Sequence, residues 1–183
     1  MNKEKAILWL FFNEPTKQWH FEEILSAGEI SRPQALHWLN KFIKEGLIKR
    51  IKPRGKMPYF QAHFENPAYR TRKRIFALTL LQESGFLDHL LSLPKAKTVI
   101  LFGSMTRADW YSGSDIDIFI YGNDEGLETA KYETMLHRNI QVFAAKTKAD
   151  LEQMGPDLLR NILEGVLVKG KINFVEVTPL ATV

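Results

Sequence analysis

Apolar and polar residues follow a period near 3.6 in some stretches of the chain and a period of two in others, and the changes of period mark its elements. Residues 3–12 read as a short helix, apolar almost all round and therefore buried. Asn13-Glu14-Pro15 breaks it. Residues 21–27 read as a second short helix, closed by Gly28 in the usual stop position. Residues 31–45 give the clearest pattern. Ser31 is a good N-cap, Pro33 sits in the first turn and Gly46 ends the run. Ala35, Leu36, Leu39, Phe42 and Ile43 form an apolar stripe, and Gln34, His37, Lys41 and Lys44 fall together on the opposite face. Two short strands follow, 47–52 and 57–62, joined by a turn at Pro53-Arg54-Gly55-Lys56.

Asn66-Pro67 marks a boundary. Helical patterns then run over 69–93, interrupted at Gly85 and stopped by Pro94. A β-branched apolar strand at 98–102 opens a second module. A Gly/Ser-rich loop, a strand at 115–121, a helix at 126–137, a strand at 139–144 and two helices at 148–154 and 156–164 complete it. Strands separated by helices predict an α/β (α+β) architecture with a mixed sheet. The chain therefore divides into 1–64, a helical connector at 65–94 and a second module at 95–183.

Charge supports this division. Residues 1–94 hold 15 Lys and Arg against 9 Asp and Glu, and residues 95–183 hold 10 against 12. The basic half is the candidate for a polyanionic partner. Within it, Lys49, Arg50, Lys52, Arg54 and Lys56 lie in eight residues without an acid. Helix, helix, longer helix and hairpin is the order of a winged helix-turn-helix, and residues 1–64 resemble that family. The resemblance implies a duplex DNA partner, with the Gln34, His37, Lys41 and Lys44 face in the major groove and Lys52, Arg54 and Lys56 of the wing on phosphate. Winged helices also serve as protein–protein modules, and that alternative stays open.

Composition excludes several classes. There is no cysteine, so disulfides, zinc–thiolate sites and cysteine nucleophiles are ruled out. The five histidines show no metal-ligand spacing. No run approaches the roughly 18 apolar residues of a membrane span. Met1-Asn2-Lys3-Glu4-Lys5 carries an acid and precedes too short an apolar stretch for a signal peptide, which reads as a cytoplasmic protein with no membrane association.

The candidate chemistry lies between 103 and 117. Asp115 and Asp117 sit two apart on a strand, so both carboxylates face one side, about 7 Å apart along it. Ile116, Ile118 and Ile120 face the other side. Such a pair suits a hard cation, and Mg²⁺ commonly takes one or two protein carboxylates with water and substrate phosphate. Gly103 and Ser104 offer the complement, a backbone that phosphate can approach together with a hydroxyl. Arg107 adds a cation for a triphosphate. Trp110-Tyr111 in the same loop has two readings, stacking on a base or packing the loop.

Gly-Ser, ten residues, then Asp-x-Asp resembles the signature of the DNA polymerase β-type nucleotidyltransferase superfamily, and the short module resembles its minimal members. The resemblance implies binding of a nucleoside triphosphate with Mg²⁺ and transfer of its nucleotidyl group. Gly103, Ser104 and Arg107 would hold the triphosphate; Asp115 and Asp117 would be the catalytic, metal-binding carboxylates. The family pattern adds a third carboxylate on a neighbouring strand, where alternation here places Gln141; Asp109 and Asp124 are the acids that would have to replace it. Three roles remain open: an enzyme targeted by its winged helix, a DNA-binding regulator whose second module senses nucleotide, and an antitoxin-like protein. Minimal nucleotidyltransferases often pair with HEPN-type toxins, so a toxin-like protein is one expected partner and a second copy of the chain another.

Overall fold

The computed structural model describes residues 2–174. Contacts divide the chain into two compact units. Of the described residues, one holds 2–78 together with Arg107–Ser114, and the other holds Thr79–Thr106 and 115–174.

The first unit begins with α1 (Lys3–Asn13), capped by the Asn2 side chain, which accepts the Lys5 N–H at 2.8 Å. Helix α2 (Phe21–Gly28) starts with a reciprocal pair in which Glu23 accepts the His20 N–H at 2.7 Å. The residue in the left-handed region after it is Glu29 (φ 48°), not the expected Gly28, which stays helical against Ile30. Helix α3 (Arg32–Lys44) is capped by Ser31 with Gln34 accepting the Ser31 N–H. Strands β1 (Ile48–Ile51) and β2 (Tyr59–Ala62) pair antiparallel, with Lys49 opposite Gln61 and Ile51 opposite Tyr59. Trp19 adds a single bridge to Phe60 on the free edge of β2.

The core of this unit is aromatic. Ile7, Leu8, Phe11 and Phe12 of α1, Ile24 of α2, Ala35, Leu39 and Phe42 of α3, and Phe60 of β2 are all buried. The ring of Phe12 meets Tyr69 at 5.3 Å, Phe76 at 5.2 Å and Trp110 at 6.1 Å, mostly edge-on. Tyr69 and Phe76 belong to α4 (Pro67–Glu83), which continues across the division. Tyr69 donates its hydroxyl to the Phe11 carbonyl at 2.9 Å, and burial pushes its pKa up.

The second unit is built on a four-stranded sheet, β3 (Ala96–Phe102), β4 (Ile116–Gly122), β5 (Ile140–Ala145) and β6 (Val166–Lys169), in the order β5-β4-β3-β6. β3 runs antiparallel to β4 and β6, and β4 parallel to β5, so the sheet is mixed as the alternation predicts. Strand β6 is not among the expected elements. Its four residues are too few to establish a period against the helical run before them.

Gly85 (φ 75°) starts α5 (Phe86–Ser92), and α7 (Thr129–Leu136) follows β4 after the short α6 (Ser104–Arg107) described below. Helices α8 (Lys148–Gln153) and α9 (Pro156–Leu163) bring Leu151 and Ile162 onto Ile100, Phe102 and Phe119 of one sheet face. Val99, Leu101, Ile116, Ile118 and Ile120 alternate with these and are buried on the opposite face. A sheet covered on both sides is anchored along its length, and that fixes the placement of the polar residues at its end.

Candidate functional site

Register places the site. Asp117 lies opposite Phe102, the last residue of β3, and the chain then turns through Gly103 with φ at 73°. A side chain at 103 would collide with Asp117, the nearest carboxyl carbon standing 2.8 Å from an added Cβ. Glycine is required here twice, for the left-handed backbone and for the close approach of the carboxylate. Ser104 opens α6, and Thr106 Oγ1 donates to the Gly103 carbonyl at 3.0 Å, fastening the turn.

On the other side, Asp117 pairs with Gln141 across the parallel β4–β5 ladder. Partners in a parallel ladder project to the same face, so the amide stands beside the carboxylate. Gln141 is exposed and Asp117 half-buried. Asp115, one step before β4, is half-buried and accepts a hydrogen bond from Asn139 Nδ2 at 3.2 Å. The Asn139 carbonyl in turn accepts the Ile116 N–H at 2.9 Å. Arg138 is buried; burial lowers its pKa, and the negative charge of Asp115 works against that shift.

Sequence reasoning misses Asn139 and Arg138, because the ligand expected on that strand is a carboxylate. Their position at the start of the strand next to Asp115 is the signal that could have found them.

The donor set fits one hard cation. Two carboxylates at a strand start, beside an exposed neutral amide, match the protein share of a Mg²⁺ shell completed by water and phosphate. Among the described residues no group of three or more His, Asp or Glu is placed to hold a metal ion. Asp124 lies beyond the opposite end of β4 from Asp115, and topology removes it as a replacement for Gln141. Asp109 is exposed in the first unit, where Arg107 Nε donates to it at 3.2 Å. Trp110 is fully buried in the first unit's aromatic core, so it packs the loop, while Tyr111 is exposed.

The basic residues divide. Lys52, Arg54 and Lys56 are exposed around the β1–β2 turn, where Gly55 takes φ 71°. His37 and Lys44 are exposed on α3, with His37 edge-on to Trp38 at 4.9 Å. Gln34 is exposed, but its carbonyl is used in the Ser31 cap. Lys41 departs from the expected open face. It bonds Glu4 at 3.3 Å, pairs with Glu45 at 3.8 Å and lies over the Trp38 ring at 4.8 Å. Leu36, placed in the apolar stripe by periodicity, is 51% exposed. Lys49 is held by Glu65 at 3.0 Å, and that bond lowers the Glu65 pKa.

Residues 88–173 match the family model described as polymerase beta nucleotidyltransferase. The matched stretch contains Gly103, Ser104, Asp115, Asp117 and Gln141, and its mixed sheet with helices fits a nucleotidyltransferase-like fold. No curated protein matches the chain. Among the described residues no helix is long and apolar enough to cross a membrane.

Proposed function

We propose that the second unit binds a nucleoside triphosphate with Mg²⁺ at the Gly103–Asp117 end of its sheet, and that the first unit is a winged helix-turn-helix that binds duplex DNA. The observation that carries the first part is the position of Asp117, pressed against a side-chain-free Gly103 and beside Gln141 on the neighbouring strand. In this reading Gly103 and Ser104 receive the phosphates, and Asp115 and Asp117 hold the ion. Asn139 positions Asp115 through its 3.2 Å hydrogen bond. Bound Mg²⁺ would neutralise phosphate charge. The DNA reading rests on three helices followed by a hairpin whose turn exposes Lys52, Arg54 and Lys56.

Gln141 separates binding from transfer. A neutral amide cannot take a proton from an attacking hydroxyl and is a poor cation ligand. Loss of a general base costs about 10²- to 10⁴-fold. This favours a second reading, a DNA-binding regulator whose nucleotidyltransferase-like unit reports nucleotide. Incubation with each labelled triphosphate and Mg²⁺ tests the two. We expect retained nucleotide and transfer well below about 1 s⁻¹. Gln141→Asp is expected to raise transfer to a suitable acceptor by about 10² and to change affinity by less than about tenfold. Turnover near about 1 s⁻¹ in the natural protein would show that another group does the work expected of a carboxylate at 141.

A further inference from the structure

Residues 107–114 belong to the first unit, although both of their chain neighbours, Thr106 and Asp115, belong to the second. This segment separates the two halves of the proposed nucleotide site in sequence, Gly103-Ser104 before it and Asp115 and Asp117 after it. Within the first unit it is a core element. Trp110 is fully buried, with ring centroids of Trp9 and Phe12 at 6.1 Å and of Phe76 at 6.5 Å. Lys73, itself buried, donates from Nζ to the Trp110 carbonyl and lies 4.6 Å from the Trp110 ring. Ser112 donates its N–H to the Asn13 carbonyl and its hydroxyl to Glu14, both at 3.0 Å. Ala108 holds φ at 64°, a conformation that a residue with a Cβ keeps only when its surroundings impose it.

We infer that this segment couples nucleotide occupancy in the second unit to the state of the first, so that nucleotide regulates the first unit's affinity for duplex DNA. The inference rests on the nucleotide and duplex readings above. A ligand whose phosphates lie at Gly103-Ser104 and whose cation lies at Asp115 and Asp117 fixes both ends of the segment. Fixing the ends changes the balance between Trp110 seated in the aromatic core and Trp110 released from it. Local opening of such a segment is the two-state element that the ligand biases. Reciprocity follows, and duplex DNA must change nucleotide affinity by the same factor that nucleotide changes duplex affinity. Coupling of this kind is typically about 5- to 150-fold.

The protein carries its own reporter. All four tryptophans (Trp9, Trp19, Trp38 and Trp110) lie in the first unit. The experiment titrates the full chain with ATP, GTP, CTP and UTP in turn, each with Mg²⁺, by calorimetry and by tryptophan emission. Duplex affinity is then measured with and without saturating nucleotide.

The expected result is an emission change that saturates with the calorimetric binding, and a duplex affinity shifted at least about fivefold. Lys73→Met keeps the apolar stem and removes the bond to the Trp110 carbonyl, and should at least halve the emission change. Ala108→Gly provides a second variant that leaves the buried lysine in place and accepts the positive φ freely, and it should also reduce the coupling. Calorimetric binding with unchanged emission and unchanged duplex affinity overturns the inference and leaves the nucleotide reading standing. Coupling undiminished in both variants also overturns the role given to the segment. Absence of calorimetric binding for all four nucleotides overturns the nucleotide reading, and the inference with it.

Discussion

The carboxylate end of the second unit's sheet and the basic face of the first unit carry charge in different ways. At the sheet end, backbone register decides the placement. Asp117 is opposite Phe102, beside Gln141 and against Gly103 because two ladders and one turn put it there. On the basic face, long side chains choose their own partners. Lys41 folds back onto Glu4 and Trp38, and Lys49 onto Glu65, while Lys52, Arg54 and Lys56 remain exposed. Chemistry fixed by strand periodicity can be placed to the residue from local pattern alone. Chemistry on flexible lysines cannot, because several nearby acids compete for each one.

The sharpest way to break the first half of this comparison is Gly103→Ala. The methyl would meet the Asp117 carboxylate and occupy a positive-φ position. Triphosphate affinity should fall by at least about 10²-fold, and the second unit should lose roughly 1–3 kcal/mol from backbone strain. Calorimetry and thermal melting measure the two effects separately, and unchanged affinity would show that the carboxylate need not stay where Gly103 allows it.

The basic face is tested by its salt dependence. Alanine at Lys52, Arg54 and Lys56 together should flatten the slope of log affinity against log salt by about 2.7 if each contacts one phosphate. Lys41→Ala should leave that slope unchanged and cost stability on the order of 0.2–1 kcal/mol, since its charge is engaged within the unit. Equal effects on the slope would contradict the division drawn here between held and exposed lysines.

A smaller effect concerns pH. Asp150 accepts the Lys146 and Thr147 N–H groups at 2.8 and 2.9 Å, and these bonds hold its pKa below the ordinary 3.8. A depressed acid stabilises the folded state above its unfolded value and loses that contribution as pH falls through the lower folded value. Asp150→Asn should therefore lower melting temperature slightly at neutral pH, and the difference should vanish once pH falls below the lowered folded value of Asp150. A difference that persists there would place the effect in helix capping geometry rather than in charge.

These contrasts also set how much is legible in the sequence. The order of helices, the hairpin, the mixed sheet and the Gly103-Ser104 and Asp115-Asp117 pairs follow from local periods and turn residues. The position of Gln141 follows too, because alternation along β5 is a local property. Leu36 does not. Periodicity assigns it to the stripe, but exposure depends on how widely α3 is covered. Glu29 takes the left-handed position expected of Gly28 because α2 extends through the glycine. Trp110 is ambiguous between base stacking and packing. Its burial among Trp9, Phe12 and Phe76 depends on residues about a hundred positions earlier in the chain or on α4, which no local pattern reveals.

The central claim is that Asp115 and Asp117 hold the cation of a bound nucleoside triphosphate. It is tested most directly by thermal melting of the natural protein and of the Asp115→Asn, Asp117→Asn double variant, each with and without Mg²⁺ and triphosphate. At a ligand concentration about 100-fold above Kd, binding stabilises by about 2.7 kcal/mol. The natural protein should melt several degrees higher with ligand, and the double variant should fold normally and show no shift. An undiminished shift in the double variant would contradict the account and place the nucleotide elsewhere.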